Sequence, residues 1–407
     1  MKEIKSNKAP LFHVSKRNDQ TLKSAILVRT VAIVAGILFC ALICAIIFKT
    51  NPFRIIFELF NGNFGTERRI WMLLRDTALL LGVGLALLPA FKMKFWNLGG
   101  NGQILMGCLA TVACMFYFGG KLPDGVVILM MVVASILAGA IWAVIPAIFK
   151  AFFKTNESLF TLMMNYIAAG LVAYCLNGWV KTGSGVLNPL SDANLPEIVN
   201  PYLLIILVVA VLTVFMYFYN KHSKHGFEVA VVGENENTAK YVGINVKKVV
   251  IRTLILSGAI CGIIGLLIGG AMDHTINTES AKNLGFTAIM VTWLAKFNPL
   301  MMVLSAFFIV FVTRGMGQVQ TACGITNNAV SNVVVGIIYF FIIGCEFFIA
   351  YKVTTRSGKT IGQLIKEVWL SFIALFKKKE VKKEELVQND GETVTETDKN
   401  ENGEVEQ

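Results

Sequence analysis

The sequence predicts an all-α polytopic membrane protein with about ten membrane helices, one of them short or discontinuous. Three observations carry this. The first is composition: 407 residues are 55% apolar, about 224 side chains, and only 15% charged, with a mean hydropathy of +0.64. A soluble domain runs nearer 45–50% apolar and about 25% charged, and a soluble chain of this size has too little core to hide that much apolar surface. The second is the recurrence of apolar runs near the ~20 residues a spanning helix needs. The third is the sorting of Lys and Arg into alternate loops.

The runs fall at 25–48, 71–91, 103–119, 126–149, 158–179, 202–219, 251–271, 284–295, 299–313 and 327–350. The first is too long for a signal-peptide core and no small-residue cleavage site follows it, so it reads as an uncleaved span. The run 284–295 is too short to cross unaided. It suits a half-helix packed inside protein, where irregular backbone is tolerated. Ten crossings put both termini on one side. Loops on that side carry Lys92, Lys94, Lys150, Lys154, Lys221, Lys224, Lys240, Lys247, Lys248, Arg252 and Lys296; those opposite are poorer, with Lys121, Lys181, Lys282 and Arg314. The segment 49–70 is the exception, holding Lys49, Arg54, Arg68 and Arg69; keeping it outside preserves the agreement of every later loop. This predicts a multi-pass plasma-membrane protein with both ends cytoplasmic. Residues 1–24 form a polar cytoplasmic segment, 25–350 the transmembrane domain with a cytoplasmic loop at 220–249, and 351–376 a juxtamembrane amphipathic segment. The tail 377–407 is charged and polar, and its composition predicts disorder.

Composition also excludes. The net charge of +11, from 37 Lys+Arg against 26 Asp+Glu, records topology and not a nucleic-acid surface, since no basic, aromatic-interleaved groove is visible. The eight cysteines lie mostly in apolar runs without a CxxC pair; they read as small hydrophobes, with no metal site expected. The stretch TTRSGKT places Gly358, Lys359 and Thr360 like a P-loop, but the required first glycine falls on Val353. No ATP site is expected on this chain, and no cofactor of its own. Arg75 and Asp76 lie near the outer start of their span and Glu346 near the inner end of the last. A clear mid-membrane carboxylate relay is missing, which argues against an ion-driven carrier.

Four stretches hold the chemistry. In FWNLGGNGQ (95–103), three glycines and three polar side chains, Asn97, Asn101 and Gln103, interrupt apolar sequence. Freed backbone at that depth must be satisfied inside the protein, so the stretch either lines an enclosed path or starts a helix at the cytoplasmic edge. TLMMNYIA (161–168) puts Asn165 and Tyr166 inside a span, either lining a path or bonding between helices. Gly258, Gly262, Gly265 and Gly269 share one helix face, which suits close helix packing. The loop 220–249 reads GFEVAVVGENENTAKYVGINVKKV. Asn235 to Tyr241 suits a short helix capped by Asn235 or Asn237 and stopped by Gly243. A partly apolar, glycine-bracketed helix in a cytoplasmic loop reads as a docking element for another subunit.

These motifs resemble the permeases of ABC importers in the branched-chain amino acid and simple-sugar group. FWNLGGNGQ is similar to their FNIGGEGQ signature, TLMMNYIA to TLMLNYIA, the 226–246 loop to RAVGENPxAARYAGI, and GFTAIMVTWLAKFNPL (285–300) to GFDAIAVALLGRNNP. The ordered set spans about 70–350 and most resembles the larger permease of nucleoside (guanosine-type) uptake systems. The resemblance implies a helical fold of the vitamin B12- and ribose-importer type. It implies a second, shorter permease, a cytoplasmic ATPase with two nucleotide-binding domains that binds the ATP, and a lipoprotein solute-binding protein. It carries the docking role onto Glu228, Gly233, Glu234, Asn235, Ala239, Lys240, Tyr241, Gly243 and Ile244. Departures are Val231, Glu236, Asn237, and Asn101 where the signature has Glu. The expected function is nucleoside import powered by the partner ATPase, with no covalent chemistry on this chain. Asn97, Asn101, Gln103, Asn165 and Tyr166 are the expected path-lining groups. A sugar or branched-chain amino acid as solute, or an ATP-independent carrier, are the alternatives.

Overall fold

The computed structural model describes residues 50–180 and 185–324 without a break, together with 12–16, 31, 34–39, 41–45, 333, 335–337, 339–341, 344, 347 and 351–355. The chain divides into two units, one of Met1–Phe39 with Ile337–Gln407 and one of Cys40–Gly336.

In the first unit, strand β1 (Phe12–Lys16) pairs antiparallel with β2 (Tyr351–Thr355), Phe12 opposite Thr355 and Lys16 opposite Tyr351. An all-α reading did not anticipate this ribbon. Alternation in FHVSK and YKVTT suits a pleated pair, but five residues in a polar segment are too few to stand out. The rest of the predicted terminal segments and tail lies outside the described residues.

The second unit is helical: α1 (Pro52–Phe64), α2 (Glu67–Lys92), α3 (Gly100–Phe118), α4 (Asp124–Phe153), α5 (Glu157–Trp179), α6 (Leu203–His222), α7 (Lys224–Glu234), α8 (Glu236–Tyr241), α9 (Val246–Leu267), which continues as a π-turn (Ile268–Met272), α10 (Leu284–Leu294) and α11 (Pro299–Ala322). Among the described residues, seven helices are long and apolar enough to cross a membrane. Each corresponds to one predicted run, extended at its ends into polar residues. Helix α10, at 11 residues, is the predicted short segment. The first and last predicted spans fall mostly outside the described residues.

Helix α2 is apolar all round, and every residue from Thr77 to Phe91 is buried. Such a helix belongs in a core. With α9 and α3 it forms the centre, while α4 and α6 bury little of themselves and turn apolar faces outward. The glycine face of α9 is why the centre closes so tightly. A Cβ on Gly258 would stand 2.3 Å from the Gly139 carbonyl oxygen, one on Gly262 2.2 Å from that of Ser135, and one on Gly265 2.4 Å from that of Ile104. Backbones of α3 and α4 therefore touch α9 directly, as small residues permit.

Helix α1 lies in the 49–70 segment, where the sequence reading placed only a loop. Asn51 caps it through Phe53 N–H at 2.9 Å, and Pro52 opens it. Ile55, Leu59 and Asn63 form its buried face against α11, and Phe53, Phe57, Phe60 and Phe64 face outward. Arg54, Glu58 and Asn61 interrupt the apolar run and hide the period-3.6 pattern from a hydropathy scan.

Candidate functional site

The break before α3 and the elbow made by α7 and α8 both combine irregular backbone with polar side chains. At the break, α2 ends at Lys92 and the chain reverses through Lys94, whose φ is +60°. Residues 95–99 then run back against the protein. Asn97 is fully buried. Its Oδ1 accepts from Gly99 N–H (3.1 Å) and Gln103 Nε2 (3.3 Å), and its Nδ2 donates to Ser257 Oγ of α9 (3.3 Å). Leu98 N–H donates to Thr161 Oγ1 at 3.1 Å.

The start of α3 has no side-chain cap of its own, and its first N–H groups would be orphans. Asn165 of α5 supplies the partner: its Oδ1 accepts from Gly102 N–H at 2.8 Å, and its Nδ2 donates to the Leu98 carbonyl at 2.9 Å. Asn101 does the same for α10, accepting from Gly285 N–H at 2.8 Å while its Nδ2 meets Asn283 Oδ1 at 3.4 Å. Each asparagine caps a helix that is not its own. The glycines let these ends approach: a Cβ on Gly285 would stand 2.7 Å from Asn101 N, and one on Gly100 3.2 Å from Gly285 Cα. Both ends of α10 rest on left-handed, non-glycine pairs, Lys282 and Asn283 before it, Lys296 and Phe297 after it. Left-handed backbone with a Cβ is strained and persists only where the surroundings enforce it.

Among the nominated path residues, the amides of Asn97, Asn101 and Asn165 thus have protein partners, and only the Gln103 Oε1 is buried without one. Tyr166 points out of the chain, 68% exposed. Sequence reasoning missed Thr161, Ser257, Asn283 and Gly285 as partners. Thr161 sits in the same motif as Asn165, but nothing local reveals which distant groups a side chain meets.

The elbow separates root from tip. Val229, Val232 and Ala239 are buried with Met93, Phe95, Val249, Val250 and Leu254. Gly233 packs on the end of α2, since a Cβ there would meet the Lys92 carbonyl oxygen at 2.1 Å. Glu228 accepts from Arg252 Nη2 at 2.8 Å, and that hydrogen bond holds its carboxyl below the ordinary range. Asn235, not Asn237, caps α8, accepting from Asn237 N–H (2.8 Å) and Thr238 N–H (3.3 Å). Gly243, φ +84°, ends it, and Ile244 packs back on the root. Glu234 and Lys240 are exposed. At the tip, Tyr241 is 92% exposed and Val242 68%. The packed root thus presents an aromatic and an aliphatic side chain side by side at the exposed tip.

Residues 70–343 match the family model described as "Branched-chain amino acid transport system / permease component". The chain belongs to this permease family. Among its relatives, the guanosine ABC transporter permease protein NupP of Bacillus subtilis is 28% identical over 293 residues, 70% of this chain and 83% of the relative. The nucleoside ABC transporter permease protein NupB of Lactococcus lactis is 27% identical over 350 residues, 82% and 93%. The glucose ABC transporter permease protein TsgB13 of Haloferax volcanii is 27% identical over 331 residues, 77% and 85%. The permease is thus a multi-pass membrane protein, and both the break and the elbow lie inside the matched region.

Proposed function

We propose that the chain is the membrane permease of an ATP-driven importer of nucleosides in the plasma membrane. The observation that carries the solute class is the likeness to the guanosine and nucleoside permeases over 70% and 82% of the chain. Energy comes from a partner ATPase with two nucleotide-binding domains. A second, shorter permease completes the path and a lipoprotein delivers the solute. The elbow is where the ATPase docks. Glu228, Gly233, Ala239 and Ile244 form its root, Asn235 and Gly243 shape α8, and Glu234, Lys240 and Tyr241 meet the partner. Because Gly233 lies on the end of α2, a push on the tip passes to the central helix and to the break beside it.

At the break, Asn97, Asn101 and Asn165 hold the helix ends while the path opens and closes. Gln103 and Tyr166 are the members of that set with hydrogen-bonding capacity left for an uncharged solute. The loop charges support both termini being cytoplasmic. A sugar is the second reading, favoured by the likeness to the glucose permease. Radiolabelled guanosine uptake in cells lacking the gene, and in the same cells with it restored, tests the proposal. Uptake should vanish and return with the gene. Return of glucose or ribose uptake instead, with guanosine unchanged, overturns it. Solute transport by the purified chain in liposomes, without an ATPase, would overturn the ATP-driven mechanism.

A further inference from the structure

The elbow meets the C-terminal end of α2. Near the other end of α2, a cavity of about 240 Å³ opens between α2, the π-turn after α9, α10 and α11. Leu80, Ile268 and Ile309 contribute apolar wall, and Arg75, Asp76 and Arg314 contribute charge. Asp76 sits between two guanidiniums: its Oδ1 accepts from Arg75 Nε at 2.9 Å, and its Oδ2 pairs with Arg314 Nη1. Lys282, on the rim, is balanced by Asp273 at 3.4 Å.

An ion pair tying α2 to α11 would explain these charges as structure alone. Three observations go further. Arg314 Nε is buried without a hydrogen-bond partner, which is costly for a charged donor unless something else accepts from it. The pair borders a cavity, not packed side chains. One rim of that cavity is the strained Lys282–Asn283 corner, with φ of +47° and +55°, and strain of this kind gathers at ligand clamps. Apolar walls with a few convergent polar groups are the make-up of a small-molecule site.

The chemistry of the polar wall selects a ligand. A carboxylate beside a guanidinium accepts from one ligand group while the guanidinium N–H donates to the group next to it. A heteroaromatic base offers that pattern along its edge, where arginine donates to ring and carbonyl acceptors and a carboxylate accepts from amino N–H groups. The base's flat faces suit the aliphatic walls. A free sugar carries hydroxyls around its rim and has less flat apolar face to match them.

We propose that this cavity is a base-reading station for the imported solute, with Asp76 and Arg314 taking the hydrogen-bonding edge of a purine. The assignment rests on the nucleoside-import reading and adds to it a place and two specificity-determining residues. Guanosine and inosine uptake by the complete transporter in cells tests it, with the amount of complex in the membrane measured alongside. Arg314→Lys keeps a cation opposite Asp76 and removes the Nε donor; Ile309→Phe fills the cavity without touching the ion pair. Each should raise the guanosine KM about tenfold while maximal rate per transporter stays within about twofold. Inosine lacks the exocyclic amine, so the wild type should favour guanosine and Asp76→Asn should narrow that preference. Variants with unchanged KM and unchanged preference sink the station alone, as do losses that merely track the amount of protein. Wild-type cells that import sugar but no nucleoside sink the import reading, and the station with it.

Discussion

Replacing Gly262 with alanine tests the packing on which the whole centre depends. The new Cβ would lie 2.2 Å from the Ser135 carbonyl oxygen and 2.9 Å from its carbon. Escape toward α3 is closed, because Gly107 already packs on the Gly262 backbone. Helices α9 and α4 must therefore part by about 1 Å. A gap of that size forfeits about a quarter to a half of the ~0.1–0.2 kcal/mol held in each heavy-atom pair. Over roughly forty pairs, the contacts of about one buried leucine, the loss is about 2 kcal/mol, within the ~1–3 expected of overpacking. Alanine's better helix propensity returns about 1 kcal/mol. The net is a loss of about 1 kcal/mol, or, at roughly 2.1 cal/mol/K of unfolding entropy per residue over 407 residues, a fall of about 1 °C in the Tm of the solubilised permease. Gly170, on α5, has nothing within 4 Å of its would-be Cβ, so Gly170→Ala should keep or raise the Tm. Equal or higher Tm for Gly262→Ala would refute the close-packing argument.

Other consequences are as direct. Asn165→Ala leaves Gly102 N–H and the Leu98 carbonyl unpartnered and should cost about 1 kcal/mol, at roughly 0.6 for each interhelical bond; a Tm equal to wild type would mean the cap is unimportant. Tyr241→Ala removes a side chain with almost no contacts in this chain, so the Tm of the isolated permease should not move, while copurification of the ATPase should fall; undiminished copurification argues against the elbow as the dock. Glu228 has a depressed pKa in the folded state, so its stabilisation is complete above the unfolded value near 4.3 and lost as pH falls through the lower folded one. Hydrogen exchange of α7 amides, corrected for intrinsic rate, should therefore stay slow to about pH 4 and rise below it. In Glu228→Gln that acid-dependent step should disappear.

Legibility differed by feature. Apolar runs placed all seven long helices and the short α10, because a helix that must be dry on most sides advertises itself in composition. The glycine face of α9 was readable as a packing surface, since its spacing alone puts four small residues on one side. A cap at Asn235 or Asn237 and a stop at Gly243 were readable, because capping is local chemistry between residues close in sequence; the hydrogen bonds chose Asn235. Helix α1 was not, its four phenylalanines being spaced among polar residues. The β1–β2 ribbon was not either, because pairing between Phe12–Lys16 and Tyr351–Thr355 is a fact about two distant segments.

Read alone, the sequence carried class and arrangement along the chain: a polytopic helical membrane protein, a polar break near residue 97, and a glycine-bracketed elbow, with the permease family entering through the resemblance of its motifs. The helical class and its order follow from solvation and local chemistry, which act residue by residue. Only the tertiary structure decided what the polar groups do. Asn165 could line a path or bond another helix, and its identity and depth are the same in both cases. The fold brought it to Gly102 and Leu98, put Asn101 on α10, and left the Gln103 Oε1 and the Arg314 Nε without partners. A hydrogen bond exists only between two groups, and for these side chains the second group lies tens to hundreds of residues away.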